Sequence, residues 1–150
     1  MKLAEALLQR AEYQKKIDNL RYRIRTNIKT QENELPYEDP NQLLEELTQV
    51  NEALCEIVKK INGINTTTFL SNQMSISDAL AEREKLSKQI SALQMVIQTA
   101  NERDYRLTHS ELKMTITVDI AKIQKQIDLL SKQHRELDTS IQSVNWTTEI

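Results

Sequence analysis

Apolar residues recur along this chain at three- and four-residue steps in four long runs. In the first, Leu3, Ala6, Tyr13, Ile17, Leu20 and Ile24 follow that spacing, with Leu7 and Ile28 beside them. Such steps keep one side of an α-helix apolar, so the pattern predicts a helix over about 2–32. Pro36 and Pro40 end it, because each pushes the residue before it out of the α region. Asp39 has the character of an N-cap, and Pro40 suits the first helical position, where its missing N–H is not needed.

The second run, Leu43, Leu47, Val50, Leu54, Ile57, Ile61 and Ile64, keeps a heptad rhythm and predicts a helix over about 40–62. Gly63 stands where a C-terminal stop would fall. Asn65–Ser75 is polar and Thr-rich, but Phe69, Leu70 and Met74 should fold back on the helix ends. Ser75 with Asp78 resembles a capping box. The third run, Ile76, Ala79, Arg83, Leu86, Ile90, Leu93, Ile97 and Ala100, predicts a helix over about 76–105. A change of period follows: Leu112, Met114, Ile116 and Val118 alternate with Lys113, Thr115 and Thr117, the signature of a short strand near 111–118. Thr117 would then cap a last helix over about 118–144, with Ile120, Ile123, Ile127, Leu130, His134, Leu137, Ile141 and Val144 as its seam.

Apolar stripes this narrow suit long hairpins, so the expected fold is all-α. Helix one pairs with two and three with four, in a single domain built as an elongated antiparallel four-helix bundle of coiled-coil hairpins. The two candidate strands, 65–70 and 111–118, are separated by a helix roughly 40 Å long. They would meet only if that helix bends or if one strand comes from another chain. Narrow seams also leave little apolar surface to offset chain ordering, and the expected remedy is a homo-oligomer joined through the seams.

Composition narrows the function classes. One Gly in 150 residues excludes Gly-rich phosphate loops and dinucleotide fingerprints. One Cys and two His cannot build a Cys/His zinc site of three or four ligands, and one Cys excludes an internal disulfide. Net charge is −2, without the basic excess that nucleic acid demands. Glu5, Gln9, Arg10 and Glu12 interrupt any secretory apolar stretch, and no run reaches the roughly 20 residues of a membrane span. The expected location is the cytoplasm, with no membrane or nucleic-acid partner and no cofactor.

Few residues invite chemistry. Asp104, His109 and Glu111 lie in the richest polar cluster and would supply a small-molecule or metal site. Ser110 beside His109 makes no dyad, since neighbouring side chains of an extended chain point apart. His134, Arg83 and Arg10 are polar members of apolar seams. The histidine reads as a register-fixing layer or a pH-sensitive one. Each arginine needs a carboxylate, from Glu84 or Glu12 or from a facing helix. Cys55, next to Glu52 and Glu56, reads as a small buried side chain. Trp146 should dock on a helix end or enter a subunit contact. The mixed-charge polar faces are unlike those of surface-active helices.

The opening MKLAEALLQRAEYQKKIDNLRYRI, the Tyr37-Glu38-Asp39-Pro40 linker, Ile61-Asn62-Gly63-Ile64-Asn65-Thr66, Ala79-Leu80-Ala81-Glu82-Arg83-Glu84 and the ending Asn145-Trp146-Thr147-Thr148-Glu149-Ile150 together resemble a septicolysin-like family of small, uncharacterised bacterial helical proteins. The resemblance spans nearly the whole chain and implies, by its label, a cytolysin; it supplies no functional residue. The leading expectation from the residues themselves is an interaction or scaffolding protein without a catalytic signature. The alternative is a ligand- or metal-binding protein using Asp104, His109 and Glu111.

Overall fold

The computed structural model describes residues 1–102 and 113–150. The fold is all-α, and the described residues form four helices: α1 (Leu3–Asn27), α2 (Pro40–Thr67), α3 (Ile76–Asn101) and α4 (Ile120–Thr147). They form two compact units. The first comprises Met1–Ser77 with Gln142–Ile150, the second Asp78–Ile141.

In the first unit α1 and α2 run antiparallel. Lys16 pairs with Glu46 at 2.8 Å, and Arg23, seven residues further along α1, pairs with Glu38, eight residues further back. Beside these ion pairs Leu20, Ile24, Leu43 and Val50 form a buried cluster, flanked by Tyr13, Ile17 and Leu47. The expected α2 seam is the inward one: Leu43, Val50, Ile57 and Ile61 are buried, and Leu47, Leu54 and Ile64 half-buried. Hydrophobic transfer of these side chains is the main stabilising term of the pair.

The helix ends differ from expectation for local reasons. Helix α1 stops at Asn27, not near residue 32. The buried Asn27 amide donates from Nδ2 to the Arg23 carbonyl at 2.8 Å, and its Oδ1 accepts the Glu38 N–H at 3.1 Å. One side chain thus satisfies both a loose helix-end carbonyl and a donor of the linker. At the other end Glu5 accepts the Lys2 N–H at 2.7 Å, half of a capping box, since lysine offers no acceptor for the other half. Asp39 caps α2 as its sequence suggests, accepting the Asn41 N–H at 2.9 Å ahead of Pro40.

Gly63 does not stop α2. The helix passes through it to Thr67, and the hydroxyls of Thr66 and Thr67 both donate to its carbonyl, at 2.8 and 3.0 Å. A tight turn follows. Phe69 bridges to Ser75, the Leu70 N–H donates to the Met74 carbonyl at 2.8 Å, and the Ile76 N–H donates to the Thr68 carbonyl at 3.0 Å. Gln73 takes a positive φ of 64°, and the Asn72 side chain accepts the Met74 N–H at 3.0 Å. The extended piece at 68–75 therefore pairs with itself rather than with a distant strand. Leu70 is buried within the turn, Met74 half-buried and Phe69 exposed. The chain ends are stitched together within the same unit. Leu3 N–H donates to the Thr148 carbonyl and Ile150 N–H to the Met1 carbonyl, both at 2.9 Å, and Lys2 pairs with Glu149.

In the second unit α3 and α4 are antiparallel. Arg83 meets Asp138, and Ser87, four residues later, meets His134, four residues earlier. Every expected seam position of both helices is buried or half-buried, but among the described residues of this unit only Ala79, Leu86, Ile127 and Ile141 are fully buried hydrophobics. Helix α3 ends at Asn101 rather than 105, and α4 spans 120–147 rather than 118–144. Asp119 caps α4 in place of Thr117, accepting the Lys122 N–H at 3.1 Å. Residues 113–118 are exposed and belong to no strand, so the described part of the 111–118 alternation is not β-structure. Alternating residues need a neighbouring strand to form a sheet, and among the described residues none lies alongside.

Candidate functional site

Two polar rungs cross the α3–α4 seam. At the first, Arg83 Nη1 donates to Asp138 Oδ1 at 2.6 Å, with both side chains partly solvated. At the second, Ser87 Oγ lies 3.0 Å from His134 Nε2. Positions four apart on a helix share a face, so Arg83 with Ser87, and Asp138 with His134, form two facing polar pairs at the edge of the apolar seam, Ser87 exposed and the others half-buried. The partner of Arg83 comes from the facing helix, while Glu84 binds Lys88 at 2.9 Å.

A serine on a histidine is the nucleophile–base half of a hydrolytic triad. The orienting carboxylate would have to be Asp138, one turn along, but that group is bound to Arg83. The surrounding backbone lies mid-helix, where N–H groups serve the helix and offer no oxyanion hole. Both rungs are polar contacts between the two helices. The sequence reading missed Ser87 and Asp138; polar residues spaced four apart at matching depth on adjacent helices were the available signal.

Arg10 has a different setting. Its Nε is buried and has no hydrogen-bond partner among the described residues, and Glu12 is exposed and forms no ion pair there. Asp104, His109 and Glu111 lie outside the described residues. Among the described residues no group of three or more His, Cys, Asp or Glu side chains gathers to hold a metal ion. Cys55 is exposed rather than buried, because it points away from the seam that Leu54 enters. Trp146 is 57% exposed, so its ring is not buried on a helix end.

Among the described residues the perturbed groups belong to surface ion pairs. Hydrogen bonding to Arg23 holds the Glu38 carboxyl below the usual carboxylate range. Lys16 does the same for Glu46, and Lys2 with the Met1 ammonium for Glu149. Each case is an exposed carboxylate stabilised by a cation. The described residues include a concavity beside Ala81, Glu84, Lys85, Lys88 and Gln89, an open furrow on one helix. Its lysines are held in ion pairs along the helix, Lys88 with Glu84 and Lys85 with Glu82. No helix of the described residues is long and apolar enough to cross a membrane.

A fold of antiparallel helix pairs with polar rungs and no gathered catalytic groups among its described residues defines a helical protein of unassigned activity. Residues 10–150 match the model of a family of unknown function, DUF6847, and the chain belongs to that family. It is also similar to a solved structure, a functionally unknown conserved protein from Corynebacterium diphtheriae. That likeness has a TM-score of 0.93 at 36% identity and covers 100% of this chain and 98% of the other. No curated protein matches. These findings overturn the septicolysin-like assignment. Both the family and the structural neighbour are of unknown function, and neither carries a cytolysin connection.

Proposed function

We propose that this protein is a cytoplasmic interaction or scaffolding protein that works by self-association through its helix faces. The observation that supports this reading is the thin core of the α3–α4 pair. Most of its seam is only half-buried, and large apolar side chains such as Met95 and Leu129 stand exposed. Two helices alone cannot enclose an apolar column, whereas four can. The rungs at Arg83–Asp138 and Ser87–His134 are the kind of polar layers that fix helix register rather than carry out chemistry. Sedimentation equilibrium of the full chain at micromolar concentration tests the proposal: it should report a stable oligomer, and a monomer throughout would refute it.

A further inference from the structure

We infer that the α1–α2 linker is a docking segment, whose Leu35 and Tyr37 seat in an apolar groove with a basic rim on a different protein.

The two ends of the linker are pinned and its middle is unspent. On one side the Glu34 N–H donates to the Gln31 carbonyl at 3.0 Å, and the Thr30 hydroxyl donates to the Glu34 carbonyl at 2.9 Å. On the other, Asn27 Oδ1 accepts the Glu38 N–H, the Glu38 carboxylate pairs with Arg23, and Asp39 caps α2. Between these anchors Leu35, Pro36 and Tyr37 make no hydrogen bond among the described residues. Leu35 is 92% exposed and Tyr37 fully so, more than any other large apolar side chain among the described residues. A single exposed leucine is ordinary on a surface. Two such side chains within three residues of a pinned loop, neither giving anything to the core, are the informative case.

The chemistry of the segment defines the kind of partner. Pro36 keeps Leu35 out of the α region. A non-helical segment with free backbone groups and large side chains two residues apart is what a peptide-binding groove takes up, filling alternate pockets. Pinned ends lower the ordering cost of that contact. From Gln31 to Asp39 the chain carries Glu32, Glu34, Glu38 and Asp39 and no basic residue, with Lys29 just before it. Glu32 and Glu34 are exposed and form no ion pair among the described residues. Acidic flanks complement a basic rim and repel the phosphates of a nucleic acid or a lipid surface. A second copy offers no free basic rim at its described concavity, where Lys85 and Lys88 are already paired with Glu82 and Glu84. The contact goes beyond self-association through helix faces and does not depend on it.

Photo-crosslinking followed by titration tests the inference. The full chain carries p-benzoylphenylalanine in place of Leu35 and is irradiated in the cells that make it; the control carries the same probe in place of Leu8, which is 60% exposed on α1. Position 35 should give a covalent adduct with a protein that position 8 does not. That protein, purified and titrated against the full chain, should bind it. Leu35→Ser and Tyr37→Ser should each weaken binding about 10- to 100-fold, and Leu8→Ser should leave it unchanged. Both serine variants should keep the wild-type melting temperature, since the replaced side chains are exposed. Glu32→Lys with Glu34→Lys should weaken binding more at low salt than at high salt. No adduct specific to position 35, an adduct between two copies of this chain, or a partner whose binding survives both serine substitutions would overturn the inference. A monomeric chain that binds such a partner would refute self-association and leave the docking segment standing.

Discussion

Arg83 on α3 and Asp138 on α4 form an ion pair at 2.6 Å at the edge of the apolar seam, one turn from the contact between Ser87 and His134. Partial solvation limits what the pair contributes, and replacing such a pair with fitting apolar residues is often neutral or stabilising. Arg83→Leu with Asp138→Leu is therefore expected to change stability by less than about 1 kcal/mol in either direction. Arg83→Leu alone should destabilise, because it strands Asp138 at a half-buried position. Urea unfolding of the two single variants and the double variant checks this; a double variant that loses as much as the two singles together would contradict it.

The surface carboxylates give a pH dependence with a defined sign. Glu38, Glu46 and Glu149 each sit below their ordinary value of 4.5 in the folded state. The unfolded chain therefore binds more protons than the folded one just below that value, and stability falls as pH drops through it and on through the folded values. The contribution is fully present at neutral pH. Melting temperature should decline on acidification below about pH 4.5, and less steeply in Glu38→Gln, which has lost one linked proton. Added salt should shrink the difference, since the pairs are exposed.

Much of this architecture could be read from the spacing of Leu, Ile and Val. Every seam position expected in α2, α3 and α4 is buried or half-buried, because periodicity reports local geometry directly. What the sequence hid depends on residues far apart in the chain. Asn27 ends α1 by reaching Glu38, and Arg83 finds its carboxylate at Asp138. The alternation through Met114, Ile116 and Val118 looked like a strand, but strand formation needs a partner that no local pattern can supply. Asp104, His109 and Glu111, the expected ligand site, fall outside the described residues.

Asn27 offers a direct test of the first such link. It is buried, and its amide serves the Arg23 carbonyl and the Glu38 N–H together. Asn27→Leu would keep the volume but strand the Glu38 N–H, while the Thr26 hydroxyl would still donate to the Arg23 carbonyl. The expected cost is about 1–3 kcal/mol in chemical denaturation, the range for stranding a buried polar group. A change within about 0.5 kcal/mol would mean that water takes over the bond to the Glu38 N–H.

Caps separate two readings of the α4 start. Asp119 accepts the Lys122 N–H, while Thr117 lies ahead of the helix in an exposed stretch. Asp119→Ala should cost about 1 kcal/mol, and Thr117→Ala less than about 0.5 kcal/mol. The reverse order, measured by thermal unfolding of the two variants, would restore Thr117 as the cap.

Gly63 provides the remaining prediction, and its sign is favourable. It lies within α2 at an exposed position, its φ is not positive, and nothing stands within 4 Å of where a Cβ would project. A glycine there gives the unfolded chain freedom that the folded helix does not use. Gly63→Ala should therefore stabilise the protein by about 0.5–1 kcal/mol, read as a higher denaturation midpoint with unchanged slope. Because Thr66 and Thr67 donate to the Gly63 carbonyl and not to any group an alanine would remove, those bonds persist in the variant. A lower midpoint would show that α2 needs the glycine as a break, as the sequence alone suggested.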